Sequence, residues 1–280
     1  MARPPASNLS DGGHRAKSHI GSKTRGTTGV NRLRRVDRWI LHTQCSYLRS
    51  VESPLCIDLG YGREPWTTAE WHSRLRQHVR PDVTVVGVEI DPERVAAAQS
   101  ASVSGLSFVV GGFEIPTGGR AVHVLRALNV LRQYDESEVQ PAWTLMARAL
   151  APGGVLIDGT CDEVGRLATW LAVGADENRL PVAQTFTVST QLSTLERPSK
   201  WATRLPKSLI HRNVPGHAIH QFFADFDATW SAHAALSVFS PRQRFIAAVR
   251  QLRELGWPVR DDEHRWRLGE MTIDADAVCN

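Results

Sequence analysis

An α/β fold built on a mainly parallel, doubly wound sheet is what this 280-residue sequence predicts, and three observations carry the prediction. Short apolar strands alternate with amphipathic helical stretches between residues 55 and 160, the pattern of a parallel sheet covered on both faces. The first strand, Leu55-Cys56-Ile57-Asp58-Leu59, runs directly into Gly60-Tyr61-Gly62. Glycines at such a turn supply positive φ and leave no Cβ to hold a ligand away from the main chain. A Pro-Gly-Gly turn at 152–154 precedes a further apolar strand. A dinucleotide fingerprint would also need glycine at position 65, and the chain has Pro65, so NAD is disfavoured.

Residues 1–30 are rich in Pro, Gly, Ser and Thr and poor in apolar residues, and are expected to be a disordered basic tail ahead of a single domain over 31–280. Asn31 is the expected cap of a basic amphipathic helix, with Leu33, Val36 and Ile40 turned inward and Arg32, Arg35 and Arg38 outward. Thr67 or Thr68 is expected to cap a second helix to about residue 79, after an insertion at 63–68. Strand two is read at 83–91, a helix starts at Pro92, strand three spans 106–110 and strand four 122–131. Ser137 with Gln140 suggests a capping box for a helix to residue 150, ahead of strand five at 150–157. A strand at 166–173 and a hairpin partner at 183–195 follow. Then come helices over 217–233 and 241–255 and a last strand at 266–273. The stretch 197–255 is read as a helical, substrate-side elaboration that partly closes the site.

The ordered set of segments over 55–160 resembles the class I S-adenosylmethionine-dependent methyltransferases. Asp58, Gly60 and Gly62 match that family's motif I, Glu89 ends strand two where the family places the carboxylate that accepts from the ribose hydroxyls, and the Pro-Gly-Gly turn is a recurrent family mark. The resemblance implies a Rossmann-like fold, S-adenosylmethionine as cofactor, and cofactor contacts from Asp58, Gly60, Tyr61, Gly62, Glu89, Gly112 and Phe113. Gly112 stands where many relatives carry an acid that contacts the adenine amino group. No base-methylating signature follows strand four. Asn129, at the end of that strand, is the best-placed polar residue to touch the acceptor or the methionine end of the cofactor, and is the candidate catalytic residue. Arg212 and Asn213, in a basic loop ahead of an amphipathic helix, are the candidate substrate-binding residues.

Composition narrows the partners. Residues 1–50 hold ten bases against two acids, net +8, and the remainder carries −4. Such an arm suits a polyanion. The acceptor is therefore either a small molecule, placed ahead, or structured RNA; a non-catalytic S-adenosylmethionine-binding protein is the further alternative. Four cysteines lie far apart with no Cys-x-x-Cys pair, and His217 with His220 lacks a fixed third ligand, so no metal is expected and the compartment is read as reducing and cytoplasmic. His123 is read as a core contact. No apolar run approaches a membrane span.

Overall fold

A computed structural model describes residues 19–279. In chain order the elements are α1 (Arg34–Ser50), β1 (Leu55–Leu59), α2 (Trp66–His78), β2 (Thr84–Glu89), α3 (Pro92–Ala98), β3 (Leu106–Val110), β4 (Val122–Leu128) and α4 (Glu136–Ala147). After these come β5 (Leu150–Cys161), β6 (Leu167–Ala175), β7 (Pro181–Thr190), α5 (Lys207–Ile210), α6 (Ala218–Ala232), α7 (Pro241–Glu254), α8 (Glu263–Trp266), β8 (Glu270–Asp274) and α9 (Asp276–Cys279).

The strands form one sheet in the order β3-β2-β1-β4-β5-β6-β7-β8. From β3 to β5 every pairing is parallel; from β5 onward each is antiparallel. The chain's order reverses at β1 and β4, which makes their carboxyl ends the switch point where ligands bind in such sheets.

Alternate strand residues feed two separate cores. Cys56, Val124, Ile157 and Trp170 face α1, α2 and α3, packing against Trp39, Ile40, Trp71 and Val95. Ile57, Leu125, Leu156 and Leu171 face the other side, where α4, α6 and α7 supply Trp143, Met146, Phe222, Phe226 and Phe245. Phe222 meets Phe186 of β7 edge-on at 6.2 Å, so the helices after residue 217 mainly cover the antiparallel half of the sheet. A sheet buried on both faces explains why β4 is apolar along its length apart from His123 and Arg126. His123 Nδ1 accepts from the Leu55 amide at 3.0 Å, the core contact expected of it.

Several local expectations differ from what forms. Asn31 does not cap α1; it sits at φ +61° and its amide donates to the Glu70 carboxylate. The insertion after Gly62 is absent, because α2 begins at Trp66 and Thr67 and Thr68 are buried within it. The capping box of α4 is Asp135 with Glu138, two residues earlier than Ser137 with Gln140. Arg32 is buried and Arg35 and Arg38 are half-buried rather than turned outward, since the α1 face they occupy packs on the chain near Asp162, Leu268 and Glu270.

The largest difference concerns residues 19–30. Composition puts them in a disordered tail, yet they lie as an extended strap across the carboxyl ends of the parallel strands. Ile20 donates to Glu114 at 3.0 Å and accepts from Phe113 at 2.8 Å. The Ser22 amide donates to the Tyr134 hydroxyl, Lys23 pairs with Asp91, and Arg94 donates to the Thr24 carbonyl at 2.9 Å. Arg63 donates to the Gly26 carbonyl at 3.1 Å. Residues 1–18, the rest of that expected tail, lie outside the described residues. Among the described residues no helix is long and apolar enough to cross a membrane.

Candidate functional site

The glycine turn after β1 is held open by its own backbone. Gly60 and Gly62 adopt φ +67° and +93°, a region L side chains avoid. A Cβ on Gly60 would come within 2.7 Å of Val130, so only glycine lets the turn pass under that side chain. The Gly60 amide donates to Val88 of β2 at 2.7 Å, and the Gly62 amide donates to Glu89 Oε2 at 3.0 Å. Glu89 is therefore fixed at the end of β2, its Oε1 also accepting from Ile90 at 3.0 Å and its Oε2 lying 3.5 Å from Arg94.

Asp58 is committed behind the turn. It takes both forks of Arg126 from β4, at 2.9 and 2.6 Å, and the Thr68 hydroxyl at 2.7 Å. Arg126 is fully buried, also pairs with Asp37 of α1, and lies 4.4 Å from the Trp71 ring. Burial pushes the Asp37 carboxyl up to about 6 against the pull of Arg126 and Arg74. This network bolts α1, α2, β1 and β4 together beneath the turn. The Asp58 side chain shapes the loop while its backbone lines the space above.

That space is a cleft of about 340 Å³, within the range of small-ligand sites. Its floor is Asp58 to Gly62, its far wall Leu128, Asn129, Arg132 and Cys161, and its near wall Thr24 to Thr28 of the strap with Arg32. Tyr61 lines it with a buried ring packed on Phe108 at 5.2 Å, and its hydroxyl has no hydrogen-bond partner among the described residues. Burial, with Glu89 and Asp58 nearby, pushes that hydroxyl's pKa far up. Asn129, at φ +62°, reaches the cleft, but its amide is tied to Cys161: Oδ1 accepts from the Cys161 amide at 3.0 Å and Nδ2 donates to Sγ at 3.2 Å. Burial raises the Cys161 thiol. The second Nδ2 hydrogen of Asn129 is the one available to a ligand.

The nucleoside end of a bound S-adenosylmethionine would lie beside Glu89, Ile90, Gly112 and Phe113. Those residues do converge, together with Gly60, Val130 and Tyr134, but Ile20, Gly21 and Ser22 of the strap share the space. About 20 Å³ remains there, room for roughly one water. The glycine turn, the fixed Glu89 carboxylate and the orphaned Tyr61 hydroxyl fit the cofactor chemically; its nucleoside end fits once the strap residues yield.

Arg212 and Asn213 are not brought to the cleft. The chain turns at Pro206 into α5 and carries them to the α4 side, where Arg212 lies 4.0 Å from Glu136. Arg204, earlier in the same basic stretch, is the residue of that segment that lines the cleft. Arg132 and the strap residues Thr24 to Thr28, which no motif marks in the sequence, line the cleft as well. Arg126 left a usable signal, a lone charge inside an apolar strand, which demands a buried counterion. Among the described residues no cluster of His, Cys, Asp and Glu could hold a metal ion.

No protein-family model matches this chain, and no curated protein matches it. Solved structures do. The chain is similar to magnesium protoporphyrin IX methyltransferase from Synechocystis PCC 6803 with bound SAH, at 18% identity and TM-score 0.34, over 45% of this chain and 52% of that one. It thus spans about half that protein's length. It is similar to the sugar N-methyltransferase KedS8 from Streptoalloteichus, at 18% identity and TM-score 0.34, over 67% of this chain and 75% of that one. A TehB-like SAM-dependent methyltransferase from Corynebacterium glutamicum matches at 18% identity and TM-score 0.34, over 48% of this chain and 64% of that one.

Proposed function

We propose that this protein transfers a methyl group from S-adenosylmethionine to a small-molecule acceptor. The observation that carries the reading is the bond between the left-handed Gly60–Gly62 turn and the Glu89 carboxylate beside the sheet's switch point, the turn forming the floor of a cleft walled by the strap. Asp58, Gly60, Tyr61, Gly62 and Glu89 would hold the cofactor, with Gly112 and Phe113 at its nucleoside end. When bound, the cofactor supplies a methyl group on a sulfonium whose leaving group is neutral. The protein's task is then to align the acceptor and exclude water, and little covalent help is needed. Asn129 is suited to orient an acceptor through its unpaired N–H; an amide does not remove a proton. A cleft of about 340 Å³ walled by the strap suits a small molecule.

Titration calorimetry with S-adenosylmethionine tests the first step, and no binding at millimolar ligand would refute the reading. Tritiated methyl transfer to fractionated cell extract then identifies the acceptor class. A non-catalytic binding protein is the second reading, supported by the tie between Asn129 and Cys161, which engages the candidate orienting group inside the protein. Binding without any labelled product would decide for it.

A further inference from the structure

Among the described residues, Arg132 and Arg204 stand at the cleft with neither an acid nor a carbonyl to pair with. Arg132 sits in the tight turn Leu131–Gln133 after β4, and Arg204 ends the turn Pro198–Arg204; both line the cleft. Neither side chain meets a carboxylate or carbonyl oxygen among the described residues. Both face the same cleft of about 340 Å³, and there burial and then the Arg204 charge lower the Arg132 pKa. Like charges brought together in a partly dry site repel, and side-chain freedom would ordinarily let them part.

Here the backbone under each is pinned. The Arg204 carbonyl accepts from the buried Thr169 hydroxyl at 2.5 Å, and the next carbonyl, of Leu205, accepts from the buried Thr160 hydroxyl at 3.3 Å. Trp201, fully buried in the same turn, donates to Ser189 at 3.1 Å. On the other side Leu131 is buried and the Tyr134 amide closes its turn at 3.1 Å. The rest of the lining adds to the imbalance. Arg25 and Arg32 also line the cleft without a carboxylate partner among the described residues, Asp58 is neutralised from behind by Arg126, and Glu163 is the remaining acid.

We propose that Arg132 and Arg204 form an oxyanion clamp that takes a carboxylate or phosphate group of a ligand in this cleft. The proposal rests on the methyltransferase reading for the identity of that ligand, and two sources share the chemistry: the α-carboxylate at the amino-acid end of the cofactor, or an anionic group on the acceptor. Planar guanidinium forks match such oxygens in pairs, and an anion between them removes the repulsion that the empty clamp bears.

The test compares the wild-type protein with Arg132→Gln, Arg204→Gln and the double variant, using three probes. S-adenosylhomocysteine carries the α-carboxylate, 5′-methylthioadenosine lacks it, and inorganic phosphate stands for an acceptor's anion. If the clamp takes the cofactor, each single variant weakens S-adenosylhomocysteine by about tenfold to a hundredfold and leaves methylthioadenosine unchanged. If it takes the acceptor, the variants leave both nucleosides unchanged and abolish phosphate binding that the wild type shows. Thermal unfolding of the variants should be no lower than wild type, because a repulsion is removed. Wild-type indifference to phosphate together with unaltered S-adenosylhomocysteine affinity in the variants would overturn the clamp. Failure of both nucleosides to bind wild type would sink the methyltransferase reading, and the phosphate arm would still judge the clamp.

Discussion

Gly112→Ala isolates the strap from the rest of the site. Gly112 is outside the left-handed region, so alanine suits its backbone, and the added methyl overlaps chiefly the Ile20 carbonyl, with Glu114 Oε2 at 2.9 Å. Displacing Ile20 forfeits three hydrogen bonds: Phe113 to Ile20 at 2.8 Å, Ile20 to Glu114 at 3.0 Å, and Ser22 to Tyr134. At about 1 kcal/mol net each, the strap's hold on the nucleoside end loses about 3 kcal/mol. A ligand that needs the strap-open form binds with an apparent affinity reduced by the fraction open. Calorimetry with S-adenosylhomocysteine should then show binding tighter by about tenfold to a hundredfold, the upper figure being 3 kcal/mol converted at 1.4 kcal/mol per decade. Deletion of residues 1–23 should give a gain of similar size without placing a methyl near the adenine. Hydrogen exchange at the Phe113 amide reports strap release directly, and should quicken in both variants. Unchanged or weaker binding in the deletion variant would refute the reasoning, making the strap a wall that the cofactor needs.

Asp58→Asn should register first as lost stability, because it strips a partner from the buried Arg126: about 3–5 kcal/mol, read by denaturant unfolding, with nucleoside affinity altered only in step with folding. Asp158 is buried with Trp143 Nε1–H donating to it at 3.0 Å, and burial raises its pKa to about 7. A raised carboxyl pKa means the folded state keeps its proton between pH 4 and 7, so this stabilisation is full below about pH 4 and is lost as pH rises through 7, up to about 4 kcal/mol. The melting-temperature advantage of Asp158→Asn over wild type should accordingly grow from pH 5 to pH 8, and a constant difference would count against a protonated Asp158. Arg212→Ala with Asn213→Ala should leave nucleoside affinity and turnover within about twofold, as both lie off the cleft; a large loss of turnover would restore them to the substrate side.

What could be read from the sequence is what local chemistry encodes. β3 forms at Leu106–Val110, the expected span, and the turn after β1 announces itself because only glycine adopts its φ angles. Cap choice was harder, since Asp135-x-x-Glu138 and Ser137-x-x-Gln140 both satisfy the pattern and only packing selects the first. The strap was illegible for a plainer reason. Its anchors are mostly main-chain groups, the carbonyls of Ile20, Thr24 and Gly26 and the amides of Ile20 and Ser22, which any sequence presents. Composition reports the apolar area a segment can bury and is silent about carbonyls. Arg204 and Arg212 likewise look alike in a basic loop; Thr160 and Thr169, distant in sequence, decide which one faces the cleft.

The same accounting changes the meaning of the N-terminal charge. An arm that neutralises a polyanion must present several cations that have no other partner, because the salt-dependent term scales with the phosphates it contacts. In the described residues much of the excess is spent inside the molecule. Lys23 pairs with the Asp91 carboxylate, and Arg32 donates to the main-chain carbonyl of Asp162 at 3.0 Å. Arg35 donates to Leu268 at 3.2 Å, and Arg49 to Val79 and His78 at 3.1 and 2.8 Å. Those bases tie the strap and α1 to the sheet; they are anchors first. The lining cations left without a carboxylate among the described residues, Arg25, Arg32, Arg132 and Arg204, converge on one small cleft instead of spreading along an exposed track. A positive potential confined to about 340 Å³ favours one compact anionic group, the cofactor's carboxylate or an acid on the acceptor, over the many phosphates of a nucleic-acid strand.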